Sequence, residues 1–523
     1  MLSTTVTVIL AILLWHKTHT VDSQCTSIDQ LACYAKEHPN NPCSYARTGF
    51  GRVYPDLLSS QTVGKYGPVL LQDGFLIGKI QNGNRERIPV RIGHAKGSGA
   101  FGYFQVTHDV SNYTRAAFLQ PHTRTDVVIR FSTQVGEIGS ADTLVDAKGF
   151  AVKFKTADGI FDFVGLNVPV FGSRDAMNLA DLLHSRMKNP VTHLQDLRAF
   201  WDTASLMPET MLFILFFFSK TAYIKSYSHM DGHYIHTVRL VNRRYEPIFA
   251  KLIFTSNAQN KSYFNSSVEA LTTAGFYPEF LTKDLYDLIA TKNYPTWTLN
   301  LQIMTEEQAK NFKYNIFDPT KFWNTTDFPL IPVGQLVLDQ NPTNYFNDVE
   351  QSAYAPANLV PGIEATPDRL FSARLFAYRD AQFYRLGRNH NEIPVNMCPF
   401  AVRNYERDGF MNVGPNGGSG PNYFPNSYNG PNNNRDRYYD ELPYKLSGTV
   451  DRIFLGDEDN FSQCKAYVNS LSDADLRSLI ANMAFSFIGV DKSTIDRAID
   501  KLMVPISTKF ANLFREALTQ LPQ

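Results

Sequence analysis

One histidine of the chain stands in a glycine-rich stretch. His94 is followed by Gly97, Gly99 and Gly102, and glycine lets the backbone approach a bound group closely. Histidine titrates near neutral pH and is therefore suited to general-base catalysis. The glycine spacing differs from the G-x-G-x-x-G pattern of dinucleotide sites. The stretch predicts either a catalytic base beside a ligand or an ordinary core or surface histidine next to a flexible loop.

Three further histidines, His229, His233 and His236, lie close together along the chain. Such a group raises the possibility of a zinc site. Asp231-Gly232 interrupts a helix between them, so the three rings need not share a face. No cysteine or matching acidic residue lies at ligand spacing. The pattern therefore favours separate roles for the three histidines over joint metal ligation.

Arg374 and Tyr378 are four residues apart and would share one face of a helix. A guanidinium beside a phenol stabilises the phenolate, which is a hard anionic ligand suited to ferric iron. The alternative is a packed, hydrogen-bonded tyrosine, one of 26 in the chain. Spacing alone favours that second interpretation.

The segments that would position these residues read as short strands from about residue 91 to residue 333. Residues 126–133 and 149–156 alternate in side-chain character, and Ala157-Asp158-Gly159 supplies turn residues after the second segment. Many short strands separated by turns predict a sandwich or a barrel. The wholly apolar run of residues 211–218 is too short to span a bilayer and predicts a core segment.

The chain changes character towards its C-terminus. Residues 412–434 are dense in Gly, Asn and Pro, which predicts a long surface loop. Ser472 and Asp475 then form a pair like a capping box, followed by apolar residues at helical spacing. Gly489 would end that helix, and Ile495 begins the pattern of another.

Composition excludes several classes of protein. The chain has 523 residues, of which 43% are hydrophobic and 19% charged, so most of it is not disordered. Lys+Arg and Asp+Glu are both 50, so the bulk composition does not indicate a basic nucleic-acid-binding surface.

The N-terminal segment predicts entry into the secretory route. Residues 6–15 are almost wholly apolar and have the length of a signal-peptide core, within a signal peptide at residues 1–23. The alternative is a buried N-terminal helix or strand. Five N-x-S/T triplets favour a secreted glycoprotein, and the final Leu-Pro-Gln is not the Ser-Lys-Leu peroxisomal address. The triplets begin at Asn112, Asn260, Asn265, Asn324 and Asn460.

An odd number of cysteines leaves the disulfide pattern open, because at least one thiol must be free or paired with another chain. No C-x-x-C zinc pattern is present. The five are Cys25, Cys33, Cys43, Cys398 and Cys464.

Taken together, these segments identify the chain as similar to the haem catalases. The resemblance is almost continuous over residues 64–175, returns at 329–339, 344–346 and 361–364, and includes the proximal tyrosine motif at 374–380. It implies an α+β fold, with an antiparallel eight-stranded β-barrel, an N-terminal arm, a wrapping loop and a C-terminal helical region. The implied boundaries are 24–75 for the arm, 76–335 for the barrel, 336–450 for the wrapping segment and 451–523 for the helices.

The resemblance also implies roles for individual residues. Tyr378 would be the axial ligand of the haem iron, Arg374 its charge partner, His94 the distal base, and Ser132 the residue that holds the His94 ring. Asp146 would lie in the access channel. The other implied haem contacts are Arg91, Arg130, Phe171, His236 and Arg385, of which the arginines would face the propionates.

The implied reaction is the disproportionation of hydrogen peroxide, with haem b as cofactor, as a protection against oxidative stress. The implied assembly is a homotetramer, with no nucleic-acid or membrane partner. NADPH is not expected, because Thr221 and Thr255 stand where the family carries Arg and Lys to hold a nucleotide phosphate.

The departures from the family pattern concentrate on the distal side. Leu166 stands where the family has an asparagine that donates a hydrogen bond to peroxide, and Asn167 is a doubtful substitute. Gly93 and Gln134 replace two channel valines. Leu179, Gly172 and Val90 replace two phenylalanines and a glutamate of the family pattern.

These changes predict a wider distal pocket and leave three hypotheses open. The first hypothesis is a working catalase that tolerates Leu166. The second is a peroxidase-like enzyme that acts on organic substrates. The third is a secreted haem protein with weakened or lost activity.

Overall fold

A computed structural model describes residues 25–39, 45–456 and 458–521. The predicted signal peptide at residues 1–23 and the thiol of Cys43 lie outside these residues.

Ten strands are found in the described parts of the chain, all in one antiparallel sheet. Eight of them close into a barrel in the order β1-β2-β3-β4-β5-β7-β8-β9, with β9 pairing back onto β1, and β6 and β10 extend the sheet at β7. This is the predicted eight-stranded barrel. The strands are β1 Gly97–Val106, β2 Arg124–Thr133, β3 Lys148–Thr156, β4 Gly159–Leu166, β5 Gly232–His233, β6 Val238–Val241, β7 Pro247–Ser256, β8 Thr296–Met304, β9 Ile331–Gln340 and β10 Ile363–Glu364.

Aromatic side chains fill the barrel because strand residues alternate between its two faces. Phe131 and Phe150 point inward and meet edge to face, with ring centroids 5.3 Å apart. Trp297 packs against both rings. The residues next to them along β2 and β3, Ser132 and Gly149, therefore face outward, and this outer face carries the candidate site.

Thirteen α-helices surround the barrel within the described ranges and are mixed with the strands, as expected of an α+β protein. They are α1 Gln30–Glu37, α2 Gly74–Gly83, α3 Leu179–His184, α4 Leu197–Leu206, α5 Met211–Phe218, α6 Ser267–Phe276, α7 Phe280–Ala290, α8 Glu306–Asn311, α9 Arg369–Leu386, α10 Ser462–Ser470, α11 Asp473–Phe485, α12 Lys492–Ala498 and α13 Thr508–Thr519.

The apolar run of residues 211–218 forms α5 and is a core segment, as predicted. It packs with α4 and the C-terminal helices into a second hydrophobic core beside the barrel. Trp201 stacks on Phe487 with centroids 4.0 Å apart and donates to Ser486 at 3.0 Å. The Ser472 hydroxyl accepts the Asp475 backbone N–H at 3.1 Å, so the predicted cap begins α11.

The arm and the wrapping segment contain structure that the sequence did not indicate. Helix α1 lies in the arm, where the sequence lacks periodicity because this helix buries none of its residues. A disulfide in the arm joins Cys25, which precedes α1, to Cys33 of α1. Strand β9 continues to Gln340, beyond the predicted boundary at residue 335. No helix in the described part of the chain is both long and apolar enough to cross a bilayer.

Candidate active site

Helix α9 places three of the predicted residues on one face. Arg374 and Tyr378 are one turn apart, and Arg385 follows Arg374 by about three turns of 3.6 residues. Asp368 precedes the helix, and its Oδ1 accepts the Phe371 backbone N–H at 2.9 Å. This N-cap fixes where the helix begins and therefore where the three side chains stand.

A chain of hydrogen bonds ends at the Tyr378 hydroxyl. His236 Nδ1 donates to Asp368 Oδ2 at 2.5 Å, and His236 Nε2 accepts from Arg374 Nη1 at 2.7 Å. Arg374 Nη2 in turn donates to Tyr378 Oη at 2.8 Å. A guanidinium that donates to a phenol oxygen stabilises the anionic form of the phenol. The arrangement therefore fixes the direction in which the Tyr378 oxygen points.

The His236 ring is neutral in this chain. Burial lowers the pKa of His236 to about 4, although the Asp368 carboxylate acts in the opposite direction. Its Nε2 must also carry a lone pair to accept the guanidinium N–H. The neutral ring leaves Arg374 with its full positive charge directed at Tyr378.

His94 is held from three directions. Its backbone is in the left-handed region, with φ of 61°, and its N–H donates to the Gln134 carbonyl at 2.8 Å. Arg130 Nη1 donates to its carbonyl at 2.7 Å, and its ring Nδ1 lies 2.9 Å from the Ser132 hydroxyl. The other ring nitrogen, Nε2, has no hydrogen-bond partner among the described residues. His94 therefore presents one nitrogen that is free to exchange a proton.

The surroundings of His94 keep its ring neutral. Burial and the positive charge of Arg130 lower the pKa of His94 to about 4, with Arg374 and Arg91 acting in the same direction. A neutral imidazole accepts protons at neutral pH, as a general base must.

Any reaction that uses His94 as a base should consequently persist into acidic solution. Because only neutral His94 accepts a proton, activity is expected to stay level down to about pH 5 and to be half lost near pH 4, the pKa of the ring. Initial rates of turnover across pH measure this. Half-loss near 6.5, the ordinary pKa of histidine, would contradict it.

The sheet register places Leu166 in the row beside His94. Gly149 pairs with Ser132 on one side and with Leu166 on the other, and directly paired residues of antiparallel strands point to the same face. A Cβ at Gly149 would lie 2.3 Å from Ser132 Oγ and 2.7 Å from His94 Nδ1, so only glycine fits beneath the ring. The side chain beside His94 in this row is therefore that of Leu166, which has no hydrogen-bond donor.

The amide of Asn167 is occupied elsewhere. Its Oδ1 accepts the Lys148 backbone N–H at 2.8 Å, and its Nδ2 donates to the Thr221 carbonyl at 3.0 Å. Both ends of the side chain are therefore tied to the main chain, away from the row that holds His94.

Three guanidinium groups and one carboxylate form a cluster next to His94, whose carbonyl accepts from Arg130. Arg91 Nη1 lies 3.1 Å from Glu350 Oε1, and Arg385 Nη1 donates to the Glu350 carbonyl at 2.7 Å. Burial, with the charges of Arg130 and Arg385, lowers the pKa of Arg91 well below its ordinary value, and burial lowers that of Arg385 to about 10. Arg130 Nε is buried without a partner. Three guanidinium groups against one Glu350 carboxylate leave the cluster with an excess of two positive charges.

The predicted channel residues form a separate group next to His94. Asp146 Oδ1 pairs with Arg186 Nη2 at 2.5 Å, and its Oδ2 accepts the Val135 N–H at 2.7 Å. Gln134 Oε1 accepts from Arg186 Nη1 at 2.7 Å. Although burial opposes it, the charge of Arg186 lowers the pKa of Asp146 and keeps it ionised. A Cβ at Gly93 would lie 3.2 Å from the Gln134 carbonyl, so Gly93 belongs to the same wall.

The remaining predicted residues are placed as follows. Phe171 lines the same cavity as Gln134, and its ring centroid lies 6.4 Å from that of Phe213. His229 contacts Ser262 on the barrel surface, whereas His236 belongs to the chain of hydrogen bonds that ends at Tyr378. These two histidines therefore do not meet at one site. In the described ranges no group of three His, Cys, Asp or Glu side chains is placed to hold a metal ion.

Four residues of this site were not found from the sequence. Asp368 carries an N-cap signal, since it is an aspartate that directly precedes helix α9. Glu350, Arg186 and Gly149 carry no local signal, because their roles come from partners far away in the chain.

Comparison with known proteins is consistent with this geometry. The catalase family model matches residues 47–430. A catalase of Drosophila melanogaster is 44% identical over 495 residues, covering 94% of this chain and 97% of the relative. A catalase of Methanosarcina barkeri is 44% identical over 447 residues, covering 85% of this chain and 88% of the relative. A bacterial catalase structure superposes with a TM-score of 0.88 at 33% identity, covering 95% of this chain and 100% of that one.

The chain therefore belongs to the catalase family and is an oxidoreductase that acts on hydrogen peroxide. The family implies haem, and the residues present fit that group. The guanidinium cluster has two positive charges in excess, which the two propionate carboxylates of haem would balance. The Tyr378 oxygen, which accepts from Arg374 at 2.8 Å, would be a ligand of the type that binds ferric haem iron.

Proposed function

We propose that this chain disproportionates hydrogen peroxide to water and oxygen, with Tyr378 as iron ligand and His94 as proton carrier. The observation that carries the proposal is the hydrogen-bond chain Asp368–His236–Arg374, which ends on the Tyr378 oxygen. A tyrosine hydroxyl that a guanidinium holds in this way is fixed in direction, as an iron ligand must be and as a surface hydroxyl is not.

The protein would hold haem b through Tyr378 and through the guanidinium groups of Arg91, Arg130 and Arg385. When bound, the haem iron supplies the exchange of electrons with peroxide. His94 Nε2 takes the proton from one peroxide oxygen and delivers it to the other, while Nδ1–H donates to Ser132 and keeps the ring in position. Arg374 Nη2 donates to the Tyr378 oxygen and holds it in position.

A haem titration tests this function. Peroxide consumption should rise in proportion to added haem and stop rising at one haem per chain. Consumption that continues to rise beyond that point, or that equals the rate of free haem, would overturn the proposal.

The residue at position 166 sets the rate of oxygen release. Leu166→Asn is expected to raise oxygen release by about ten- to a hundredfold, because one preorganised hydrogen-bond donor is worth on the order of a hundredfold where charge develops. Leu166→Met, which adds no donor, is the matched control. Equal rates in the asparagine variant and the native chain, at equal haem content, would mean that a donor at position 166 does not act in turnover.

We also propose that the chain is secreted and glycosylated, with a role in protection against oxidative stress. Four of the five predicted acceptors are exposed, whereas Asn460 is buried and its Oδ1 accepts from Arg174 at 2.6 Å. Glycans are therefore expected on Asn112, Asn260, Asn265 and Asn324 only. Mass spectrometry of protein collected from the medium of expressing cells tests both points, and retention of the protein inside those cells would contradict secretion.

We propose weak NADPH binding. The Thr221 hydroxyl pairs with Ser219 at 2.8 Å and brings no positive charge for a phosphate. Equilibrium dialysis with NADPH gives the affinity, and submicromolar binding would contradict this proposal.

We also propose that the protein is a homotetramer. The arm exposes large apolar side chains that an assembly would cover, among them Phe50, Leu58 and Leu71. Light scattering gives the mass, and a monomer would contradict the tetramer.

A further inference from the structure

A surface pocket on the barrel shares no residue with the candidate active site. Its volume is about 430 Å³, within the range of pockets that hold small molecules. One wall is the segment between β1 and β2, and the other is the turn that joins β6 to β7. The lining is polar apart from one proline. It includes Asn112, Gln120, Pro121, Asn242, Arg243 and Arg244.

The wall of this pocket contains a predicted glycan acceptor. Asn112 is exposed and begins the triplet Asn112-Tyr113-Thr114. Within the described part of the chain its side-chain amide makes no hydrogen bond. A glycan attached to Asn112 Nδ2 would therefore begin at the pocket wall.

Asn242 fixes the acceptor relative to the other wall. This residue is buried, and its Nδ2 donates to the Asn112 carbonyl at 2.9 Å. Its Oδ1 accepts the backbone N–H of Arg244 at 2.9 Å and that of Glu246 at 3.0 Å. One side chain thus ties the main chain of the acceptor to the turn that carries Arg243 and Arg244, so the two walls keep a fixed separation.

The polar groups that remain free suit a neutral sugar better than an anion. Arg243 makes no ion pair or hydrogen bond in the described ranges, so its N–H groups are available as donors. Gln120 Nε2 donates to two backbone carbonyls at 3.1 Å, which leaves Oε1 as an acceptor. Arg244 is paired with Glu246 at 2.9 Å. A sugar hydroxyl both donates and accepts, whereas an anion only accepts.

We propose that this pocket holds the first N-acetylhexosamine of a glycan on Asn112, with Arg243 donating to the sugar and Gln120 Oε1 accepting from a sugar hydroxyl. The inference rests on the proposed glycosylation of Asn112. Attachment keeps the sugar beside the pocket at an effective concentration in the millimolar range. Contacts that would bind the free sugar only at about 1 mM therefore hold the attached sugar for much of the time.

Enzymatic removal of the glycans from the folded, haem-loaded protein tests the pocket. Peptide N-glycosidase cleaves the bond between the asparagine nitrogen and the first sugar, so a sugar held in the pocket is protected. Removal from Asn112 is expected to be about fivefold slower than from Asn260, because the tethered sugar is mostly bound. Asn260 is exposed and lies outside the pocket. Mass spectrometry gives both rates, each divided by the rate in unfolded protein, and equal ratios would overturn the proposal.

Arg243→Met separates hydrogen bonding from simple obstruction. Methionine keeps a long side chain but has no N–H donor, and Arg243 is exposed, so the fold should be retained. The variant is expected to lose the protection at Asn112 and to leave the rate at Asn260 unchanged. Arg477→Met, at an exposed arginine of α11, is the matched control and should change neither rate. Full protection of Asn112 in Arg243→Met would overturn the assigned contact.

The occupancy of each acceptor distinguishes failure of this inference from failure of the proposed function. Secreted protein that carries a glycan on Asn260 but none on Asn112 would overturn this inference alone. Protein without a glycan at any acceptor would overturn the proposed glycosylation and, with it, this inference.

Discussion

Tyr378→Phe is expected to abolish peroxide turnover and to release most of the bound haem. The substitution removes the oxygen that receives the Arg374 hydrogen bond at 2.8 Å, while the ring that packs under the guanidinium remains. Loss of a partner one step removed from a metal ligand costs about 10- to 100-fold, and loss of the ligand itself should exceed about a hundredfold. Haem content and oxygen release per chain are the measurements.

Tyr384→Phe is the matched control for this change. Tyr384 lies on the same helix, 79% exposed, and should tolerate the loss of its hydroxyl. A Tyr378→Phe protein that keeps both full haem content and native turnover would remove Tyr378 from the site.

His94→Ala is expected to lower oxygen release by about 10²- to 10⁴-fold, which is the usual contribution of a general acid–base. The haem should stay bound, since the Tyr378 chain and the guanidinium cluster do not involve the His94 ring. The loss should appear in kcat more than in KM, because the ring acts on the proton rather than on peroxide binding.

His193→Ala controls for the unusual backbone at His94. Both residues have positive φ, 61° at His94 and 57° at His193, but His193 lies exposed in a loop. Any effect of alanine in the left-handed region would therefore occur in both variants. Similar turnover in the two variants would show that the His94 imidazole has no part in proton transfer.

The sequence predicted those parts of the molecule that have a local pattern. Alternation predicted strands β2 and β3, and the uniformly apolar run of residues 211–218 predicted the buried helix α5. Helical spacing placed Arg374 and Tyr378 on one face, although spacing alone favoured a structural tyrosine. The resemblance of several motifs to one family, rather than any single residue, changed that interpretation.

Long-range pairing forms the parts of the site that have no local pattern. The resemblance implied that Leu166 lies on the same side as His94, and the register of β2, β3 and β4 produces this by bringing together residues from distant parts of the chain. The excess positive charge near Arg91 likewise requires Glu350 and Arg385, more than 250 residues away. Helix α1 was missed for another reason, since it buries no side chain and so leaves no apolar period.

The most direct test of the account is the stoichiometry of oxygen release on protein with one haem per chain. Peroxide consumption and oxygen evolution are recorded together for the native chain and for Tyr378→Phe. The account predicts one molecule of oxygen for every two of peroxide in the native chain, and near-complete loss in the variant. Rapid peroxide consumption with little oxygen would contradict disproportionation, and full oxygen release by Tyr378→Phe would contradict the assigned ligand.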